Sequence, residues 1–243
     1  MANPTAAMLV IGDEILSGRT RDTNTHYLAG ELTKHGIRLG EVRVVPDERA
    51  AIIAAARALS GAYDHVFTSG GIGPTHDDIT AECIAAAFDA PIDIREDAHA
   101  LLRAHYDANG QELNAARLRM ARIPEGARLI DNPISAAPGF VLGNVHVMAG
   151  VPVIFEAMVA SVLPGLTGGP PILSQSLRID RGEGEIAGPL AALAEDFPDL
   201  SIGSYPFMKG AIHGTRIVIR GTQAARIDAA MIRLAALAPE ATA

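Results

Sequence analysis

The sequence has no tryptophan, and only 4% of its 243 residues are aromatic. Proteins that bind single-stranded nucleic acid stack bases on aromatic side chains, so this scarcity argues against such a surface. Acidic residues outnumber basic ones, 28 Asp+Glu against 20 Lys+Arg, which gives a formal net charge of −8. An acidic chain without a basic run lacks the electrostatic footprint of general DNA or RNA binding. The composition therefore predicts no nucleic-acid partner.

Cysteine and long apolar runs are also scarce. Cys83 is the one cysteine of the chain, so an internal disulfide and a cysteine-built metal site are excluded. Its apolar, helical surroundings favour a buried thiol over a nucleophile. The chain does not open on a basic segment followed by an apolar run, and no apolar run reaches membrane-spanning length. We therefore expect a soluble, cytoplasmic protein without a membrane partner.

The residues that are present predict an α/β protein. Hydrophobic residues make up 49% of the chain, and the length suffices for one α/β domain and a smaller one. The continuous apolar run at residues 6–11 is typical of a central parallel strand buried on both faces. Residues 37–45 alternate apolar and polar side chains, which predicts a strand nearer an edge. Residues 141–148 predict a two-strand hairpin with Gly143-Asn144 at its turn.

A change of pattern divides the chain. Residues 163–171 hold three prolines and three glycines and are interpreted as a linker. We place a first domain at residues 1–166 and a second at residues 171–243. The second has the order strand, helix, strand, strand, helix, which is typical of a small α+β domain with an antiparallel sheet.

A helix is predicted over residues 114–122, late in the first domain. It carries Arg117, Arg119 and Arg122. These arginines could meet an anionic ligand, but a solvated helix face is the favoured interpretation.

The stretch at residues 68–80 organises the candidate site. It lies between a short apolar run ending at Phe67 and a helical pattern at residues 81–88, and it contains Gly70, Gly71 and Gly73. Glycines let backbone N–H groups approach a ligand closely, and a helix N-terminus attracts anionic oxygens. The stretch therefore predicts a phosphate-binding turn.

Carboxylates accompany this turn. Asp77 and Asp78 would repel a phosphate unless a cation intervenes. Asp13 and Glu14 follow the first strand, where open α/β sheets bind ligands, although Asp13 could serve only to fix a turn. Asp47 follows the second strand and is also a good helix N-cap. We expect Asp13, Asp47 and Asp78 to position a divalent cation such as Mg²⁺, with Asp77 and Glu14 as second choices.

Several motifs resemble a known family. Residues 70–80 resemble the molybdopterin-binding fold shared by MoaB, MogA and the gephyrin G domain. Further segments resemble the CinA family (competence/damage-inducible protein A), namely residues 12–18, Asn24, residues 45–48, residues 137–140, and residues 150–152 with Glu156 and Met158. Residues 204–206 and 220–222 resemble the KH-like subdomain that follows the first domain of CinA proteins. CinA proteins often carry a further nicotinamide-mononucleotide deamidase domain, which we do not expect in this chain.

The resemblance implies a fold and a chemistry. The fold is a three-layer α/β domain with a mostly parallel sheet, followed by a small α+β, KH-like domain. MogA-like members adenylylate a pyranopterin and depend on aspartates at the positions of Asp78 and Asp47. CinA-like first domains are associated with metal-dependent hydrolysis of dinucleotide pyrophosphates such as ADP-ribose, and a related domain of eukaryotic FAD synthase with FAD hydrolysis. Relatives form dimers or trimers, so a homo-oligomer is expected.

We therefore predict a metal-dependent nucleotide pyrophosphatase. Asp78, Asp47 and Asp13 are its expected catalytic residues, with His76 a weaker candidate. The substrate is expected to meet these residues: Gly70, Gly71, Gly73, Thr75, Asn24, Pro138, Gly139 and Gly150.

Two alternatives remain open. One is a molybdopterin- or nucleotide-binding protein that adenylylates or does not turn over its ligand. It is motivated by Ser135, Ala136 and Ala149, where the family usually has Gly, Thr and Pro. The other is an accessory role in DNA uptake, which the acidic charge disfavours.

Overall fold

The computed structural model describes residues 3–209 and 212–237. It divides into two compact units, Met1–Gly169 and Pro170–Ala243. The boundary between them falls within residues 163–171, the segment predicted as a linker. Residues 1–2 of the predicted first domain and residues 210–211 and 238–243 of the second lie outside the described part. No helix among the described residues is long and apolar enough to cross a membrane.

The first unit is built from short strands alternating with helices. Its strands are β1 (Thr5–Ile11), β2 (Arg38–Val45), β3 (His65–Ser69), β4 (Ile92–Ile94), β5 (Arg122–Pro124), β6 (Arg128–Ile130), β7 (Gly139–Leu142) and β8 (Val145–Met148). Its helices are α1 (Asp13–Leu16), α2 (Asn24–Lys34), α3 (Arg49–Ala62), α4 (Thr80–Ala87), α5 (Glu96–Ala108), α6 (Ala115–Leu118) and α7 (Pro152–Val162).

The main sheet has the strand order β2-β1-β3-β8-β7-β6. Strands β2, β1, β3 and β8 run parallel, whereas β7 is antiparallel to both of its neighbours. Because the chain passes from β1 to β2 on one side and then to β3 on the other, the strand order reverses around β1. Such a switch point opens a crevice at the carboxyl ends of the strands, where α/β proteins bind ligands. The predicted mostly parallel α/β sheet is confirmed.

Two apolar cores cover the two faces of this sheet. Side chains alternate along a strand, so Leu9 and Val66 pack with the α3 and α4 side, including Leu59. Met8 and Phe67 pack with α2 and α7 on the other face. The result is the predicted three-layer arrangement.

Cys83 lies in the first of these cores, where it is fully buried. Burial raises the pKa of its thiol to about 11. The predicted core thiol is therefore confirmed.

Local predictions for β2 and for the β7–β8 hairpin are also confirmed. β2 is an edge strand with alternating exposure. Gly143 turns the hairpin with φ +58°, a left-handed conformation that favours glycine. Asn144 secures the turn, because its side-chain amide donates to the carbonyls of Ser60 and Tyr63 at 3.0 and 2.8 Å.

The helix predicted over residues 114–122 is wrong in extent. The Asn114 side chain caps α6 by accepting from the Arg117 N–H at 3.0 Å, but α6 ends at Leu118. A 3₁₀ turn follows at Arg119–Ala121, and Arg122 then enters β5, which pairs with β4. Strand pairing overrides the helical pattern here, since it satisfies the backbone groups that the helix would otherwise use.

The second unit consists of β9 (Leu173–Ile179), α8 (Glu183–Asp196), β10 (Ser201–Lys209), β11 (Ile212–Gly221) and α9 (Ala224–Leu237). Its antiparallel sheet has the order β10-β11-β9. Ile217 and Ile219 of the sheet pack with Ile186, Ile227 and Leu234 of the helices in a core of their own. The predicted small domain of strands and helices is confirmed.

Candidate functional site

An open cavity of about 510 Å³ lies at the carboxyl ends of the central strands. Its lining includes Gly12, Glu14, Thr20, Asp47, Gly70, Gly71, Ile72, Gly73, Pro74, Asp77, Asp78, Met120, Asn132, Ser135, Ala137, Ala149, Gly150, Val151 and Ile154. The topological switch therefore coincides with the glycine turn and with most of the predicted carboxylates.

Glycines form the floor of the cavity because no side chain fits there. A Cβ at Gly70 would lie 2.2 Å from the carbonyl oxygen of Ile11, and one at Gly71 would lie 2.1 Å from the Thr80 hydroxyl. Both glycines have positive φ angles, +109° and +69°. At Gly150, a Cβ would meet the Cα of Gly70 at 3.2 Å. The ends of neighbouring strands thus approach the ligand space as bare backbone.

The N–H of Gly70 is engaged within this floor. It donates to the carbonyl of Met148 at 3.2 Å, which extends the β3–β8 ladder by one step. The structure therefore leaves Gly71 and Gly73 as the glycines whose N–H groups suit the predicted phosphate contact.

The acidic loop, residues 70–79, is closed by one of its own carboxylates. Asp78 Oδ2 accepts from the Thr75 N–H at 2.8 Å and from the Thr75 hydroxyl. Gly73 makes room for this contact, since a Cβ there would lie 2.6 Å from Asp78 Oδ2. Thr75 was predicted to hold a phosphate, but its hydroxyl is bound to Asp78 and it does not line the cavity.

Asp47 links the ends of β1 and β2. Its Oδ2 accepts from the backbone N–H of Asp13 at 3.0 Å. The N-cap of α3 is Glu48, without a side-chain capping bond, so the prediction that Asp47 caps this helix is wrong. Parallel pairing sets Val45 beside Ile11, which turns Asp47 toward the first residue of α1 instead. Asp13 contributes this N–H and is not among the lining residues of the cavity.

The electrostatics around Asp47 favour a bound cation. Burial raises the pKa of its carboxyl, and the negative charges of Asp13, Glu14 and Asp77 raise it further against the opposing hydrogen bond from Asp13. Uncompensated carboxylates in a cavity are stabilised by a positive ion.

The carboxylates near the cavity suit a cation that is coordinated partly by the protein and partly by a substrate. Within the described ranges, no group of three or more His, Cys, Asp or Glu side chains could hold a metal alone. Mg²⁺ commonly takes one or two protein carboxylates and fills its shell with water and phosphate oxygens. One or two of the carboxylates near the cavity, Asp47, Glu14 and Asp77, are therefore compatible with such an ion, and the metal site stays a prediction.

Asn24 acts beside the cavity rather than in it. Its side-chain amide donates to Ser69 Oγ at 2.7 Å and to the Gly150 carbonyl at 2.8 Å. The side chain is buried and lines a smaller neighbouring cavity of about 60 Å³. Asn24 thus holds together the strand ends whose glycines form the floor.

Asn132 organises the opposite wall of the cavity. Its Oδ1 accepts from the N–H groups of Ile134 and Ser135, and its Nδ2 donates to Ser135 Oγ and the Ala137 carbonyl. Asn132 was not predicted as a site residue from the sequence. The signal available there was an asparagine, which bonds nearby backbone groups, in a turn-rich segment.

Two predicted contacts on this side are displaced from the main cavity. Pro138 lines an adjoining recess with Arg119 and Glu82. Gly139 lies in β7, where a Cβ would meet the Val147 carbonyl at 2.3 Å, so its small size serves strand packing. His76 is exposed and lines neither the main cavity nor the adjoining recess.

The arginines of residues 117–122 do not share one solvated face. Arg117 lies over the Tyr106 ring, 4.4 Å from its centroid. Arg119 and Arg122 instead reach Glu82 in the first turn of α4. The change of conformation at Leu118 separates them, so the favoured interpretation is wrong for these two residues.

The sheet order, the glycine floor and the acidic loop define the first unit as an α/β domain that binds its ligand at the switch point of the sheet. The family described as "Probable molybdopterin binding domain" matches residues 7–168. The family described as "FAD synthase, middle domain" matches residues 171–243.

Individual relatives agree with this assignment. A solved structure of the protein CinA from Thermoplasma acidophilum is 36% identical, covers 68% of this chain and 99% of its own, and superposes with a TM-score of 0.62. The chain belongs to the CinA family. A probable FAD synthase from Caenorhabditis elegans is 33% identical over 256 residues, which is 95% of this chain but 49% of that protein. A CinA-like protein from Citrifermentans bemidjiense is 40% identical over 167 residues, 67% of this chain and 40% of its own length.

Proposed function

We propose that this protein hydrolyses the phosphoanhydride of a dinucleotide such as ADP-ribose or FAD, with a divalent cation. The observation that carries the proposal is the cavity in which a glycine turn faces a carboxylate cluster at the switch point of the sheet. The similarity to proteins named probable FAD synthase supports a nucleotide ligand.

Different residues of the chain have different roles in the proposed reaction. The N–H groups of Gly71 and Gly73, at the start of the acidic loop, would bind phosphate oxygens and orient the anhydride. One or two of the carboxylates Asp47, Glu14 and Asp77 would hold the cation together with water and phosphate oxygens. The cation supplies charge neutralisation and polarises water when it is bound.

Asp78 is assigned the proton transfer. Thr75 fixes its Oδ2, and Oδ1 is the atom proposed to take a proton from the attacking water. The water oxygen bonds to phosphorus as the bridging anhydride oxygen leaves with the other phosphate. ADP-ribose then yields AMP and ribose 5-phosphate, and FAD yields AMP and FMN.

A substrate panel tests the proposal. Purified protein is incubated with ADP-ribose, FAD and NAD⁺, with Mg²⁺, with Mn²⁺ and with chelator, and the products are separated by chromatography. We expect AMP release that depends on the metal. Asp78→Asn should lower kcat by about 100-fold or more, while Asp107→Asn on α5, outside the lining of the site, should keep the parental rate. Parental kcat in Asp78→Asn would contradict the scheme.

A second candidate is a pterin- or nucleotide-binding protein without hydrolysis. It is favoured by the lack of a preassembled group of three metal-binding side chains among the described residues. Calorimetry with ADP-ribose, FAD, AMP and molybdopterin separates the two candidates. Binding without product after prolonged incubation supports the second, and adenylylated pterin with ATP would identify a transferase.

A further inference from the structure

The acidic loop is fastened on its helix side by Thr80. The Thr80 N–H donates to the Gly71 carbonyl, and its hydroxyl donates to the Gly70 carbonyl, both at 2.9 Å. Thr75 and Asp78 close the loop internally. Ile79 joins this turn to α4, and it is held because its carbonyl accepts from the Cys83 N–H at 3.0 Å and its side chain packs against the first core.

Arg119 adds a contact to the loop from a different element. Its Nη2 donates to the backbone carbonyl of Asp78 at 3.3 Å and lies 3.8 Å from Glu82 Oε1. Arg119 belongs to the 3₁₀ turn, and this turn is itself tied to the α5 region because Arg95 donates its N–H to the Ala121 carbonyl at 2.9 Å. The guanidinium therefore reaches the loop from a fixed part of the fold.

Glu82 holds this guanidinium in place. Its side chain is only 20% exposed and pairs with both Arg119 and Arg122. The Nε of Arg119 is buried and has no hydrogen-bond partner in the part of the chain that the structure describes. Burying part of a charged group costs free energy unless its remaining contacts offset that cost, so the contacts to Asp78 and Glu82 determine where the side chain lies.

We propose that Arg119 is a positioning residue. Its hydrogen bond to the backbone carbonyl of Asp78 sets the orientation of the Asp78 carboxylate, and its ion pair with Glu82 holds the guanidinium in place. Arg119 acts through Asp78, so its role in catalysis rests on the proposed hydrolysis. Its hold on the loop stands on the contacts alone.

The test compares Arg119→Ala and Arg119→Lys with Arg117→Ala. Arg117 lies two residues away but contacts the Tyr106 ring and the Glu112 carbonyl instead, which makes it a matched control. Hydrogen–deuterium exchange of peptides covering residues 73–80 reports the order of the loop. Steady-state kinetics with ADP-ribose and metal report kcat and KM separately.

In Arg119→Ala we expect exchange in residues 73–80 to rise by about tenfold or more. We expect kcat to fall by about 10- to 100-fold with little change in KM, because a misplaced catalytic group affects turnover more than binding. Lysine at position 119 restores one donor and should recover part of both effects. Arg117→Ala should match the parental protein in both measurements.

Parental loop exchange in Arg119→Ala would overturn the proposal. Slower turnover with an unchanged loop would overturn it as well, since Arg119 would then act on the substrate directly. If the parental protein hydrolyses none of the substrates, the proposed activity fails, and the loop exchange alone then decides the arginine proposal.

Discussion

Ala136 is a single residue whose conformation carries a cost. Its φ of 57° lies in the left-handed region, where a Cβ crowds the backbone. Its position is held because its N–H donates to the Asn132 carbonyl at 3.0 Å, within the turn that forms the cavity wall. The left-handed conformation of Ala136 therefore costs free energy in the folded state.

Ala136→Gly is expected to raise the free energy of unfolding by about 1 kcal/mol, because glycine adopts this conformation without strain. Urea denaturation followed by circular dichroism measures the change. Ala104→Gly, at an exposed position inside α5, is the control and should lower stability by about 1 kcal/mol. A loss of stability in Ala136→Gly would show that the methyl group packs favourably.

His146 is a buried residue that resists protonation. Its ring stacks on Phe67 with centroids 4.8 Å apart, and neither ring nitrogen has a partner among the described residues. Burial lowers the pKa of its imidazole to about 3, with smaller contributions from His65 and Arg128. The folded protein therefore keeps this side chain neutral where the unfolded chain takes up a proton.

The depressed pKa makes stability depend on pH. Above about pH 6.5, the ordinary pKa of histidine, the folded state bears no penalty from this group. Stability is lost as the pH falls toward 3, because the unfolded state binds the proton first. Between pH 7.5 and 5.0 the parental protein should lose about 2 kcal/mol from this source.

His146→Leu should remove that part of the slope. Urea midpoints at both pH values measure it, and His26→Leu, at an exposed position of α2, should leave the slope unchanged. An identical slope in the parental protein and His146→Leu would contradict the assignment.

At the scale of elements, the acidic loop depends on the absence of a side chain at Gly71. Gly71→Ala places a Cβ 2.1 Å from the Thr80 hydroxyl at φ +69°. Gly110 has a similar φ of +63°, but nothing lies within 4 Å of an added Cβ. Comparing alanine substitutions at Gly71 and Gly110 therefore separates the effect of backbone strain from the effect of the steric collision.

We expect Gly71→Ala to weaken ADP-ribose binding by at least about tenfold and to destabilise the protein by roughly 1–3 kcal/mol. Gly110→Ala should bear the strain alone and bind like the parental protein. Calorimetric titration and urea denaturation measure the two effects. Parental binding by Gly71→Ala would mean that the loop accommodates a side chain without changing its ligand contacts.

Elements with a strong local signal were predictable from the sequence, and those decided by distant pairing were not. The apolar run of β1 and the Gly143 turn carry their structure in their own residues. The helical pattern of the sequence continues to Arg122, but Arg119–Ala121 form a 3₁₀ turn and Arg122 pairs with Ile94 of β4, which lies far away in the chain. The same holds for the site. The position of Asp47 at a strand end could be predicted from the sequence, whereas its hydrogen bond to Asp13 depends on the register between β1 and β2.

At the scale of the molecule, each of the two units encloses its own core. The first unit contains every residue that lines the main cavity. A unit with a complete core and a complete sheet is expected to fold independently.

Residues 3–169 produced alone should therefore fold and bind ADP-ribose with an affinity within about threefold of the whole chain, a difference below 1 kcal/mol. Dispersed amide signals in NMR spectra check the fold, and calorimetry checks binding. A folded fragment that no longer binds would show that residues 170–243 contribute to the ligand site.

The glycine floor also bears on drug resistance. Inhibitors usually lose potency when a target exchanges a side chain that they contact. A compound that packs on Gly70 and accepts a hydrogen bond from the Gly71 N–H would contact no side chain there. Any residue larger than glycine would collide with the Ile11 carbonyl or the Thr80 hydroxyl, so each escape mutation at these positions would damage the target itself.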